Sequence, residues 1–107
     1  MNYMLVFESH NQAILLFNKL IKSGYKVELI STPCDLSVGC SQSLKFNERD
    51  MSLIINEAKK NLVRINAIYL LKKDGRKTEY LKVKWAEQSG HFYFYILNKR
   101  NILYNKP

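Results

Sequence analysis

The order of strand-like and helix-like patterns over the first 71 residues constrains the fold of this chain more than any other feature. Apolar residues recur at helical spacing over residues 11–23 and 49–61. Around these stretches, short apolar runs with the length of β-strands cover residues 3–7, 25–30, 43–46 and 65–71. This βαββαβ order predicts an α+β protein with a ferredoxin-like core, whose four strands lie in the order 4-1-3-2.

Residues with known preferences for helix ends support both helices. Ser9 is a favourable N-cap for the first helix, and Gln12 three residues later completes a capping box. Gly24 follows the last apolar residue and suits the left-handed position that ends many helices. Asn47 is a favourable cap for the second helix. Each predicted helix therefore has its own start signal in the sequence.

The last third of the chain predicts an antiparallel β extension of this core. Asp74-Gly75 is a turn signal and predicts a type I′ turn. Strand five follows at residues 77–85 and pairs with strand four, which is otherwise an edge of the sheet. Glu87-Gln88-Ser89-Gly90 is expected to form a further turn.

Strand six, expected at residues 91–97, is apolar on both of its faces. An edge strand of this kind tends to be covered, so we expect either the helices or a second copy of the chain over it. The second case is a homodimer through residues 91–97. Residues 98–107 are polar and predict no regular structure. The sequence as a whole predicts a single domain at 1–107, with the ferredoxin-like core at 1–73 and the hairpin extension and tail at 74–107.

Both cysteines of the chain lie in the polar connection between strands two and three. Strands one and two run in the same direction in the predicted fold, so this connection lies at the end of the sheet where helix one begins. Ser9, His10 and Asn11 then place the positive end of a helix dipole near the thiols, which lowers the pKa of a thiol. The pattern favours Cys40 as the reactive thiol, with Cys34 as a resolving thiol. The alternative is that both are small, buried and unreactive loop residues.

Short motifs in the first two thirds of the chain carry a family resemblance. They are Met4-Leu5-Val6-Phe7-Glu8-Ser9, Ala13, Ile30-Ser31-Thr32-Pro33 and Cys40. In this order they resemble the selenium/sulfur carrier protein-like family of small bacterial proteins over residues 3–72. The resemblance implies that Cys40 carries sulfur or selenium as a covalent persulfide or selenide, without another cofactor. It also implies that the partners are sulfur or selenium donor and acceptor proteins. The chain differs from the family pattern in Ser41, where a glycine is usual, and in Cys34, where a basic residue is usual.

The distribution of charge supports a second class of function. The first 50 residues hold five basic and five acidic residues, so the whole net charge of +8 lies in residues 51–107. With Tyr69, Tyr80, Tyr93 and Tyr95 nearby, the basic residues of the hairpin predict weak binding of RNA or another polyanion. These basic residues are Lys72, Lys73, Arg76, Lys77, Lys82 and Lys84. A plain interaction or structural domain is a third reading.

The sequence shows no pattern for export, membrane insertion or metal binding. The first residues lack the basic start of a signal peptide, and no apolar run approaches the roughly 20 residues of a membrane span. We therefore expect a cytoplasmic protein with reduced thiols and no membrane partner. Cys34 and Cys40 with His10 and His91 are a poor set of zinc ligands, so no metal site is predicted. These observations favour a carrier or binding protein over a conventional enzyme.

Overall fold

The structure is a computed structural model that describes residues 1–36, 42–88, 91–97 and 103–106; for Cys34 and for strand residues after Trp85 it describes the backbone alone. Its helices and strands are β1 (Asn2–Phe7), α1 (His10–Lys22), β2 (Glu28–Ser31), β3 (Gln42–Asn47), α2 (Met51–Lys60), β4 (Ile65–Asp74), β5 (Lys77–Gln88), β6 (His91–Leu97) and β7 (Leu103–Lys106). A 3-10 turn, Cys34–Leu36, follows β2, and a second, Glu48–Asp50, leads into α2. The predicted mixed α+β class is confirmed.

The strands form one sheet in the order β2-β3-β1-β4-β5-β6-β7, and every neighbouring pair is antiparallel. The first four strands therefore lie in the predicted order 4-1-3-2, and β5 pairs with β4 as expected. β1 is hydrogen-bonded on both sides, to β3 and to β4. This position explains its unbroken apolar sequence, because residues 3–7 are all buried and alternate between the two faces of the sheet.

The two faces of the sheet carry separate apolar clusters. On one face, here called the helix face, Leu5, Leu44 and Ile68 pack against α1 and α2. The two helices contribute buried side chains at helical spacing: Ala13, Leu16, Leu20, Ile54, Ile55 and Ala58. The buried cluster on the opposite face, here called the second face, consists of Met4, Val6, Ala67 and Tyr69. The core thus lies on both sides of β1 and β4.

The starts of the two helices differ in how they are capped. The Ser9 hydroxyl accepts a hydrogen bond from the Gln12 backbone N–H over 3.2 Å, as the capping pattern predicts. The Asn47 side-chain oxygen accepts from the Arg49 N–H over 3.1 Å and so caps the 3-10 turn, and α2 itself begins only at Met51. Within the described part of the chain, neither helix is long and apolar enough to cross a bilayer.

Both helices end in the same hydrogen-bonded motif around a residue of positive φ. After α1, Gly24 has a φ of 88°, and the Tyr25 N–H donates to the Leu20 carbonyl over 3.0 Å. After α2, Leu62 takes the corresponding position with a φ of 57°, where glycine is the usual residue. The Val63 N–H completes the motif by donating to the carbonyl of Ala58 over 2.8 Å.

The β4–β5 turn lies one residue later in the chain than the sequence predicts and is of a different type. Asp74 pairs with Lys77, so Gly75 and Arg76 form a two-residue loop. Of the described residues in this turn, Gly75 alone has a positive φ, at 63°. This is the pattern of a type II′ turn, in which glycine takes the first central position, and the predicted type I′ turn is wrong.

The strands after this turn correct three further expectations. β5 extends to Gln88 and pairs there with His91, so Glu87 and Gln88 belong to the strand and not to the turn predicted at residues 87–90, whose last two residues lie outside the described part. β6 pairs with β5 on one side and with β7 on the other, so it is not an edge strand. The homodimer through residues 91–97 loses that argument and stays a prediction, because the side chains of β6 lie outside the described part. Residues 103–106 form β7, where no regular structure was expected.

Candidate functional site

The connection between β2 and β3 is the candidate site that the sequence predicts. β2 ends at Ser31 and β3 begins at Gln42. The structure describes residues 32–36 of this connection. Cys40 lies outside the described residues, and for Cys34 only the backbone is described. The described geometry of the site is therefore that of the two ends of the connection and its first turn.

A buried hydrogen bond joins the two ends of this connection. The hydroxyl oxygens of Thr32 and Ser43 lie 2.5 Å apart, and the two residues are 4% and 0% exposed. Ser43 lies on the second face, in one row with Val6 of β1 and Ile30 of β2. Buried polar groups keep their partners because no water replaces a lost hydrogen bond. This hydroxyl pair therefore fixes the first residue after β2 to the second residue of β3.

The first turn of the connection is anchored on the second face. The Leu36 N–H donates to the Pro33 carbonyl over 3.0 Å and closes the 3-10 turn Cys34–Leu36. The Leu36 side chain packs against the buried cluster of Met4, Val6, Ala67 and Tyr69. Asp35 between them is exposed. The backbone of Cys34 thus lies in a turn that is held by its own hydrogen bond and by apolar packing.

The connection lies at the end of the sheet where α1 begins, as predicted. β1 and β2 both run antiparallel to β3, so they point in the same direction. Val6 and Ile30 flank Ser43 on its two sides, which places them about 10 Å apart across two strand spacings. β1 and β2 therefore end at the same end of the sheet, and the segments that follow them begin there.

The three residues predicted to stabilise a thiolate lie at the same end of the sheet as the cysteine-bearing connection, but on the opposite face from the Cys34–Leu36 turn. Ser9, His10 and Asn11 are exposed at the start of α1, and α1 packs on the helix face, whereas Leu36 packs on the second face. The contacts of the α1 start go instead to Arg64, whose N–H donates to the Gln12 side-chain oxygen over 3.2 Å. Among the described residues, no hydrogen bond joins this start to the Cys34–Leu36 turn.

Two other features lie at the opposite end of the β2–β3 hairpin. A depression of about 230 Å³ is lined by Asn2, Lys26, Val27, Glu28, Lys45, Phe46, Asn47, Arg49 and Asp50. Beside it on the helix face, the Tyr3 ring stacks on Phe46 with ring centres 6.1 Å apart. Burial raises the pKa of the Tyr3 phenol above its ordinary value. Neither feature adjoins the cysteine-bearing connection.

The basic residues predicted to bind a polyanion do not form one group. Lys73 and Lys82 lie on the second face, in register with Thr78 and Tyr69. Lys72 and Lys77 lie on the other face of the same hairpin, and Arg76 lies in its turn. Tyr69 is only 9% exposed and is part of the second-face cluster, so its ring is closed to a stacked base. Tyr80 is partly exposed.

Comparison with known proteins identifies one family. The model of a family described as "Putative Se/S carrier protein-like" matches residues 2–70. No curated protein and no solved structure matches the chain. The matched region begins with β1 and ends within β4, so it includes the cysteine-bearing connection and excludes β5, β6 and β7.

Proposed function

The chain belongs to the Se/S carrier protein-like family, and from this membership we propose that it is a thiol-bearing carrier that holds sulfur or selenium on Cys40. The observation that carries the proposal is the buried hydroxyl pair of Thr32 and Ser43. It closes the base of a connection that contains both cysteines, inside the region that the family model matches. A loop that is fixed at its base by a rigid sheet is a typical place for a reactive group.

Transfer of sulfur to Cys40 requires a single exchange step. The Cys40 thiolate attacks the outer sulfur of a persulfide on the donor, a new S–S bond forms, and the donor thiolate leaves. The product is a Cys40 persulfide, and no external oxidant is consumed. A donor that carries selenium in the outer position gives the corresponding selenide on Cys40 by the same step.

Cys34 has a role in release in this proposal. Its thiolate attacks the Cys40 sulfur of the persulfide, which forms a Cys34–Cys40 disulfide and expels the outer sulfur as hydrosulfide. The two thiols are oxidised and the transferred sulfur is reduced, so the electrons balance within the protein. Low-molecular-weight thiols of a reducing compartment then reduce this disulfide by thiol–disulfide exchange, are themselves oxidised, and restore both cysteines; for this reason we place the protein in the cytoplasm.

The order of the strands supports the proposed core, and the core sets the position of α1 relative to the connection. The order and pairing of the first four strands support our assignment of residues 1–73 to a ferredoxin-like core. In this core the start of α1 lies at the same end of the sheet as the connection, and we assign Ser9, His10 and Asn11 the role of stabilising the Cys40 thiolate. A helix N-terminus has a positive potential that favours an anion.

Mass spectrometry of the intact protein after incubation with glutathione persulfide tests the proposal. We expect a gain of one sulfur atom in Cys34→Ser, which lacks the releasing thiol, and no gain in Cys40→Ser. In the wild type we expect the loss of two hydrogen atoms that formation of the Cys34–Cys40 disulfide produces. A gain in Cys40→Ser equal to that in Cys34→Ser, or no gain in Cys34→Ser, contradicts a carrier role and leaves the reading as an interaction domain. The pH dependence of alkylation in Cys34→Ser tests the thiolate separately. An apparent pKa at or above about 8.5 shows an ordinary thiol. A pKa unaffected by Ser9→Ala removes the role of the helix start.

A further inference from the structure

One face of the β4–β5 hairpin carries lysines without acidic neighbours. In the register of these strands, Tyr80 lies opposite Leu71 and Lys82 lies opposite Tyr69. Directly opposed residues of an antiparallel pair share a face, so Lys73, Lys82 and Lys84 lie on the second face with Tyr80. All three lysines are exposed. None of them forms an ion pair with a residue that the structure describes.

The other face of the same hairpin is electrically neutral. There Lys72 lies opposite Glu79, and Asp74 lies opposite Lys77. Two basic and two acidic residues therefore cancel on this face. The positive charge of the hairpin strands is concentrated on the second face.

A fourth lysine of the second face lies across the sheet on β3, beyond two buried residues. Lys45, Met4, Tyr69 and Lys82 follow one another in a single row across β3, β1, β4 and β5. Met4 and Tyr69 are buried in the middle of this row, and Lys45 at its far end is partly exposed. Among the strand side chains that are described on this face, Glu28 opposite Lys45 is the one carboxylate.

We propose that this lysine surface, formed by Lys45, Lys73, Lys82 and Lys84, binds the phosphate backbone of a single-stranded nucleic acid. The lysines of β5 are two residues apart, or about 7 Å, and from the Thr78 level to Lys84 the surface extends about 20 Å along the strand. An extended row of lysines with almost no carboxylate complements a polymer with uniform negative charge. An acidic protein surface varies in charge along its length and is matched by surfaces of mixed charge.

The exposure of the aromatic residues sets the kind of binding. Tyr69 is buried and unavailable, whereas Tyr80 is partly exposed beside the lysines and offers a ring for one base. Contacts to phosphates carry no sequence information. The surface is therefore expected to bind single strands with strong salt dependence and without sequence preference. Because Leu36 packs on the same face, a bound strand lies on the side of the sheet that holds the cysteine-bearing connection.

Two matched double variants of the full chain test the proposal. Lys82→Gln/Lys84→Gln removes two charges from the second face, and Lys72→Gln/Lys77→Gln removes two charges from the other face of the same hairpin. The measurement is fluorescence anisotropy of a labelled 20-nucleotide oligouridine at increasing salt. Each lysine that contacts a phosphate of a single strand contributes about −0.7 to the slope of log affinity against log salt. Four contacts predict a slope of about −2.8, and the second-face variant predicts about −1.4.

These slopes give clearly separated results. Between 50 and 200 mM salt, the affinity of the wild type and of Lys72→Gln/Lys77→Gln is expected to fall about 50-fold, and that of the second-face variant about 7-fold. Equal loss of affinity in both double variants overturns the proposal, because it shows a response to net charge alone. Absence of binding by the wild type at 50 mM salt overturns it as well. Polyglutamate that competes with oligouridine for the same lysines at equal charge concentration identifies an acidic protein as the partner and also overturns it. Circular dichroism of each variant verifies that it is folded.

Discussion

The hydroxyl pair at the base of the cysteine-bearing connection gives a prediction that is independent of the chemistry of the thiols. Thr32→Val keeps the shape of the side chain but removes its hydroxyl. The Ser43 hydroxyl, which is 0% exposed, then loses its partner at a position that water does not reach. Leaving a buried polar group in this state costs about 1–3 kcal/mol. We expect Thr32→Val to lower the free energy of unfolding by about 2 kcal/mol.

The second substitution separates the hydrogen bond from the rest of each side chain. Ser43→Ala alone is expected to cost about 1 kcal/mol. In the Thr32→Val background it removes the stranded hydroxyl, so the double variant is expected to remain about 2 kcal/mol below the wild type. In this double-mutant cycle, the loss of stability in the double variant is smaller than the sum of the two single losses by about 1 kcal/mol. This difference isolates the interaction between the two hydroxyls from the other contacts of either side chain.

Urea unfolding of the four proteins measures this cycle. A loss of 2 kcal/mol lowers the urea midpoint by about 1 M, with an unchanged dependence on denaturant. If the stability losses of the two single variants add up to that of the double variant within about 0.5 kcal/mol, the interaction between the two hydroxyls is refuted, because distant, independent sites give additive losses. An unchanged midpoint in Thr32→Val refutes it directly. The carrier role that we propose adds a second expectation: in the Cys34→Ser background, Thr32→Val moves the apparent pKa of Cys40 towards the value of a free thiol, because the hydroxyl pair no longer joins the two ends of the connection.

Two further predictions concern the rest of the fold. Leu62→Gly is expected to stabilise the protein by about 0.5–1 kcal/mol in thermal or urea unfolding, because Leu62 has a φ of 57° and its side chain is 84% exposed. Leu62→Ala keeps the Cβ atom and is its control, and a destabilised Leu62→Gly contradicts the argument. Burial raises the pKa of Tyr3, so the contribution of its neutral phenol is complete below the unfolded value of about 10 and is lost as pH rises through the higher folded pKa. Stability between pH 9 and 11 is therefore expected to fall less steeply in Tyr3→Phe, and equal slopes would remove this role of Tyr3.

Local signals predict the core of the fold well. The unbroken apolar run of β1 identifies a strand that is covered on both faces, and Ser9 with Gln12 marks the start of α1. The sequence does not signal Leu62, because leucine has no preference for a positive φ and takes it here only as part of the motif that ends α2. The prediction of the β4–β5 turn type is wrong for a related reason, because strand pairing overrides the local preference of the turn residues. Asp74-Gly75 favours one turn, but the pairing of Asp74 with Lys77 moves the loop by one residue.

The candidate site is less predictable than the core. Thr32 and Ser43 are eleven positions apart, and Ser43 lies on the face of β3 that it shares with Lys45, which suggests exposure rather than burial. In the sheet, however, Ser43 lies between Val6 and Ile30 and is 0% exposed. The division of the hairpin lysines between two faces follows from the two-residue period of strands. This division could have been predicted from the sequence. That Lys45 lies on the same face follows only from the order of the strands in the sheet.

The position of β4 in the sheet also has a consequence for the time course of synthesis. Its outer edge is paired by β5, which is made after it on the ribosome. Until the 12 residues of β5 have been added, this edge exposes unpaired backbone groups that can pair with another chain. At about 5–20 residues per second, that interval is roughly one second. Hairpin closure takes only about 1–10 μs. The two-residue turn at Gly75 and Arg76 therefore leaves the rate of translation, and not the rate of folding, to determine how long the edge is open.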